Sequence, residues 1–209
     1  MPNPDTIVTI SAPATASMLV QGSKFIGYVA PAVSEEAAMD ELNDRRRKYA
    51  DATHNCWAYR VGRPGDLIER SSDDGEPSGT AGRPIHDTLR REDLQNIVCV
   101  VTRYFGGTKL GTGGLVRAYS EAAAAAMKAG TIIHRTMKRV VTIDFDHEQT
   151  GVLYRALEEF GLHLVPGAYD DRAHGTIHVP ASRVERLNAR LKELTHSGID
   201  LSAGETIIE

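Results

Sequence analysis

The residues of this 209-residue chain best able to do chemistry fall into a cationic group and an acidic group. Arg103, Lys109 and Arg117 lie in the stretch IVCVVTRYFGGTKLGTGGLVRAY, residues 97–119, which has glycines at 106, 107, 111, 113 and 114. Between Leu94 and Ser120 there is no Asp or Glu. Three cations, no competing carboxylate and backbone N–H groups that glycines leave uncovered suit an anion, either a phosphate or a nucleic-acid backbone. The candidate anion- or nucleic-acid-binding residues are therefore Arg103, Tyr104, Gly106, Gly107, Lys109, Gly111, Gly113, Gly114 and Arg117. The alternative is a tight strand-to-helix connection whose glycines serve only positive φ and close packing. The spacing is not a P-loop, because Gly107-Thr108-Lys109-Leu110-Gly111 lacks G-x-x-x-x-G-K-[ST], and it is not a dinucleotide fingerprint.

The acidic group, Asp73, Asp74 and Glu76, sits in RSSDDGEPSGTAGRP, residues 70–84, a polar segment rich in turn formers. A loop of this length inside a domain is more often functional than not. Asp74, Glu76, Ser78, Thr80 and Arg83 are read as a rigid supporting turn that lies against the glycine loop. A hard cation is an alternative, although Asp-Asp-Gly-Glu lacks the alternating oxygens of a calcium loop. Acid–base work by two carboxylates would need a defined gap that spacing does not supply. His54 and Cys56 share one strand face by period-two alternation. No feature marks the thiol as activated, so the pair reads as a buried thiol beside a hydrogen-bonded histidine. His147, His163, His174 and His178 lack metal-ligand spacing. No catalytic residue, metal or cofactor is assigned.

Local elements position these groups. Ile97–Val101 is a continuous apolar run, too short for a helix, and reads as a buried strand. Leu115–Ala129 is a breaker-free helix that ends at Gly130. Strand, glycine loop and helix start would place the positive end of a helix at the loop. Ahead of this, Ile7–Ile10, Met18–Val20, Lys24–Val29 and His54–Val61 read as strands, with a turn at Gln21-Gly22-Ser23. Ser34 caps a helix whose inner face is Ala38, Leu42 and Tyr49. The run Arg45-Arg46-Arg47-Lys48 at its end is read either as dipole matching on a solvated face or as a phosphate-contacting patch.

The C-terminal third reads as β-α-β-β-α-β, a ferredoxin-like unit. Arg139–Phe145 alternates as a strand, and Asp146 with Gln149 makes a capping box. Val152, Leu153, Ala156, Leu157 and Phe160 form a helical face. Strands follow at Leu162–Val165 and Gly175–Val179. Ser182 and Glu185 make a second capping box before the stripe Val184, Leu187, Leu191 and Leu194, Gly198 closes that helix, and Ile199–Ile208 is the last strand. Thr131–Lys138 is read as a linker, which gives domains at residues 1–133 and 138–209.

Two motifs carry a family resemblance: Asp74–Pro84, DGEPSGTAGRP, and Thr102–Leu115, TRYFGGTKLGTGGL. With Gly22–Phe25 and His54–Tyr59 they resemble the IMPACT/YigZ family over most of residues 15–130. The resemblance implies an α+β fold: an N-terminal domain similar to domain 2 of ribosomal protein S5, then a C-terminal domain similar to domain V of elongation factor G. Eukaryotic relatives are linked to regulation of translation initiation through an added RWD domain, for which no matching residues precede this region. No enzymatic activity follows from the resemblance.

The charge balance limits the partners. The net charge is −4, and the whole excess of carboxylates falls in residues 137–209. Any nucleic-acid contact must then come from a local patch. The two cysteines, Cys56 and Cys99, show no C-x-x-C spacing, and no signal peptide or membrane span is read, so the expectation is a cytoplasmic protein with reduced thiols. The leading functional reading is a translation-associated regulator that binds RNA, the ribosome or a translation factor through the glycine loop. The alternatives are an enzyme acting on a phosphorylated small molecule or nucleotide, with Asp74 or Glu76 as acid–base, and a protein-binding adaptor. No oligomeric state is assigned.

Overall fold

A computed structural model describes residues 5–63, 65–169, 171–195 and 199–208. The chain divides into two compact units, residues 7–134 and a second unit formed mainly by the described residues from 135 onward.

In the first unit β6 (Ile97–Tyr104) is the middle strand of an antiparallel sheet ordered β2-β3-β6-β4-β5. The others are β2 (Ala14–Val20), β3 (Ser23–Pro31), β4 (His54–Arg63) and β5 (Asp66–Ser72). A further strand, β1 (Thr6–Ile10), stands outside this sheet. The apolar run in β6 is continuous because both sheet faces are covered. Ile97, Cys99 and Val101 enter the core under α2 (Gly82–Arg91) and α3 (Gly111–Ala129). Val98 and Val100 enter the core under α1 (Glu35–Lys48). Alanines at 118, 122 and 126 give α3 a flat inner face, and Gly27 of β3 meets it so closely that a Cβ there would lie 2.3 Å from the Ala122 carbonyl oxygen. Ser34 caps α1, its Oγ accepting from the Ala37 N–H at 3.1 Å.

Two elements of this unit were not foreseen. β5 alternates between half-buried and exposed residues and has little apolar content, so its pairing with β4 decides it. α2 begins among Gly82 and Pro84 with no capping side chain on Ala81, and burial of Ile85, Thr88 and Leu89 holds it instead.

The second unit has the expected order of elements. Its sheet runs β10-β7-β9-β8, built from β7 (Ile132–Phe145), β8 (Val165–Tyr169), β9 (Ala173–Pro180) and β10 (Asp200–Ile208). α4 (Thr150–Glu159) and α5 (Val184–Thr195) contribute Leu153, Leu157, Leu187 and Leu191 to a core with Val141, Ile143 and Phe145. Asp146 and Gln149 make the expected capping box. Ser182 does not: it lies in a 3₁₀ turn, and both its N–H and its Oγ–H donate to the Asp5 carboxylate, at 2.8 and 2.5 Å. The residues read as a linker are also different. From Ile132 they belong to β7, where Met137 and Lys138 pair with Ile208 and Ile207. Gly198, expected to close the last helix, lies outside the described residues.

Candidate anion-binding cleft

Asp73 organises the acidic turn. Its carboxylate accepts from the N–H groups of Gly79, Ala81 and Gly82 at 2.8–2.9 Å. Burial pushes its pKa up, but the three backbone donors outweigh that and hold it below the usual carboxylate value. Asp73 therefore adds stability that is present above about pH 4 and is lost as the pH falls through its lowered folded value. Asp73→Asn is expected to cost about 2 kcal/mol at pH 7, with the difference from wild type shrinking below pH 4. Urea denaturation at pH 7 and pH 3 checks both statements.

Asp74 adopts positive φ, which a short polar side chain tolerates. Its side chain accepts from Arg46 Nη2 at 2.8 Å and from the Asn55 N–H at 2.7 Å, tying the turn to α1 and β4. Its backbone carbonyl lies 2.8 Å from His54 Nδ1. A carbonyl only accepts, so Nδ1 carries the proton and a neutral His54 holds its lone pair on Nε2. That Nε2 is 3.9 Å from Glu76 Oε1.

Glu76 is the most buried of the turn's three carboxylates. Glu76 and Arg103 are 8% and 5% exposed, and Arg103 Nη1 donates to Glu76 Oε1 at 2.6 Å. The same oxygen accepts from the Tyr119 hydroxyl at 2.8 Å, linking turn, β6 and α3. Arg103 Nε, although buried, has no acceptor among the described residues. The Cys56 thiol donates to the Asp73 carbonyl, with Sγ and oxygen 2.9 Å apart, and burial drives its pKa upward. Burial likewise pushes Cys99 up to about 12. Neither thiol is activated.

Around this network opens a cleft of about 400 Å³. Thr53, His54, Glu76, Pro77, Arg103, Phe105, Lys109, Leu110, Gly111, Thr112 and Leu115 line it. Helix α3 starts at Gly111 with no side-chain cap and no acidic residue in its first turn. Its first N–H groups have no intrahelical partner, and the helix dipole places partial positive charge there.

Each expected site residue has a place. Lys109 and Gly111 line the cleft. Arg103 also lines it, but its guanidinium is committed to Glu76, a partner the sequence reading left unassigned. Tyr104 donates instead to Asp51 at 2.7 Å, and Arg117 is exposed on α3 outside the lining. Gly106 has a packing role, since a Cβ there would lie 2.0 Å from the Gly22 carbonyl carbon. Gly107 and Gly111 adopt positive φ. Gly113 does neither, and a Cβ there would meet open space. Gly114 is half-buried behind Leu110. In the supporting turn, Thr80 bonds the Pro77 carbonyl at 2.6 Å, Ser78 is exposed, and Arg83 stands 3.7 Å from Asp87. The sequence reading did not place His54 and Phe105 in this lining. Strand register decides it, because His54 pairs directly with Arg103, and no local pattern encodes that pairing.

The basic run on α1 is largely occupied. Arg45 stacks 4.2 Å over the Tyr28 ring, Arg46 holds Asp74, and Arg47 pairs with Asp44.

The Impact N-terminal domain matches residues 21–127, which include the cleft-lining residues. The chain belongs to the IMPACT family. A second match, to a domain of unknown function, DUF1949, covers residues 143–197. The IMPACT family member YvyE of Bacillus subtilis (strain 168) is 31% identical over 197 residues, spanning 94% of this chain and 90% of the relative. The IMPACT family member YigZ of Escherichia coli (strain K12) is 32% identical over 196 residues, spanning 93% and 96%. A crystal structure of a hypothetical protein superposes with a TM-score of 0.67 at 30% identity, covering 96% of this chain and 98% of that one. No described helix is long and apolar enough to cross a membrane.

Proposed function

We propose that this IMPACT-family chain is a cytoplasmic, translation-associated regulator that binds RNA, as such or within the ribosome, by seating phosphate at the start of α3. The observation that carries this reading is that Lys109 and the uncapped first turn of α3 line the same cleft. Gly113 supports it: no packing demand explains a glycine in that helical turn, whereas close approach of a ligand does. The link to translation rests on kinship with the eukaryotic relatives.

Fluorescence anisotropy with a single-stranded RNA, at low and physiological salt, tests the reading. The double variant Lys109→Ala, Arg117→Ala is expected to bind about tenfold more weakly and to flatten the salt dependence by about one to two phosphate contacts. If the wild-type chain binds neither RNA nor ribosomes at either salt, or the double variant binds like wild type, the proposal fails.

The volume of the cleft, about 400 Å³, favours a second reading, a small phosphorylated ligand or nucleotide acted on by Glu76. Asp74 is excluded from that role by its bonds to Arg46 and Asn55 and its place outside the lining. A thermal-shift screen of nucleotides and phosphate esters separates the two, because a tight small ligand raises the unfolding temperature by mass action.

A further inference from the structure

β2 is an outer strand of the first unit's sheet: one side pairs with β3, and among the described residues no strand lies on the other. The turn at its end fixes which backbone groups that open side carries. Gln21 and Gly22 have φ of +47° and +84°, as both central residues of a two-residue type I′ hairpin require, so Val20 and Ser23 are a hydrogen-bonded pair. Bonded and non-bonded pairs alternate along an antiparallel ladder, so Met18, Ala16 and Ala14 also bond to β3. Thr15, Ser17 and Leu19 therefore turn their N–H and C=O groups outward. The side chains of the same three residues are exposed, Leu19 at 75%, whereas Ala14, Met18 and Val20 pack against the core.

Proteins blunt open sheet edges with charge, proline or bulges. β5, the opposite edge of the same sheet, carries Asp66, Glu69 and Arg70. β2 has no charged residue, no proline and an unbroken register with β3. It is also complementary to itself. Two copies related by a two-fold axis at Ser17 set Ser17 opposite Ser17, Thr15 opposite Leu19 and Ala16 opposite Met18. In each pair the exposed residues meet exposed ones and the core-side residues meet core-side ones. The Ser17–Ser17 pair and the two Thr15–Leu19 pairs each join outward-pointing backbone groups and exchange two N–H···O bonds. A slip of one residue would oppose every outward group with a residue already bonded to β3. We propose that two copies of this chain pair through β2 in this register, which joins their five-stranded sheets into one continuous sheet. The pairing does not rest on the function proposed for the α3 cleft.

Sedimentation velocity of the full chain over a range of concentrations at physiological salt tests this. The dimer is expected to be half-populated at about 100 µM, because strand pairing buries little area. Ser17→Pro removes an N–H that β3 does not use, so it is expected to weaken dimerisation at least about tenfold with an unchanged circular dichroism spectrum. Leu19→Lys, at an exposed position, is expected to do the same. Introduced cysteines read the register, since Cys56 and Cys99 are buried. Ser17→Cys is expected to form a disulfide-linked dimer under mild oxidation, with its two Cα atoms facing each other at about 5.5 Å. Leu19→Cys is expected not to, although Leu19 is 75% exposed, because about 13 Å of strand separates the two copies of that position. The proposal is overturned if the chain stays monomeric at about 1 mM, whatever else pairs with this edge. It is equally overturned if Ser17→Pro dimerises like wild type or if Leu19→Cys cross-links as readily as Ser17→Cys.

Discussion

Glu76→Ala is expected to lower the unfolding free energy by about 3–5 kcal/mol, because it leaves the Arg103 charge buried without its counterion. Arg103 is 5% exposed and reaches Glu76 Oε1 at 2.6 Å. The Tyr119 hydroxyl loses its acceptor in the same substitution, which adds a second unsatisfied group. Arg103→Met leaves the opposite charge stranded and is expected to cost a similar amount. Replacing both partners with methionine is expected to cost less than either single change, since no buried charge then remains. Chemical denaturation of the four proteins of this cycle measures the coupling. Equal and additive costs would show that the pair is not held as the structure describes.

Gly106→Ala is expected to cost about 3 kcal/mol and to weaken RNA binding as well, through overpacking of backbone against backbone. The added Cβ would sit 2.0 Å from the Gly22 carbonyl carbon, 2.1 Å from the Gly22 oxygen and 2.3 Å from the Ser23 nitrogen. None of these atoms can rotate away, so either the Gln21-Gly22 turn or the loop that carries Lys109 must move. The bond from the Gly106 N–H to Ser23 Oγ, 3.2 Å long, would go with it. Gly107→Ala is the control: its φ is +87° but nothing crowds it, so strain alone should cost about 1 kcal/mol. Thermal unfolding and RNA anisotropy of both variants distinguish crowding from strain.

Some of this was legible in one dimension because it is written in periodicity and composition. The buried β6, the alanine helix, the Ser34 and Asp146 caps and the βαββαβ order each depend on residues within about a turn or a strand of one another. The acid-free window around Lys109 is likewise a local property, and so are the two motifs that carry the family. β5, α2 and the strand residues of the presumed linker were not legible, because their own residues express no strong preference and pairing or burial selects them. The same limit applies to the cleft. Arg103 reads as a free cation beside glycines, and only the strand register that sets it opposite His54, with Glu76 folded over it from 27 residues away, turns it into the centre of a buried network. Charge type is a property of a residue, whereas the partner of a charge is decided by which strands and turns come to lie together.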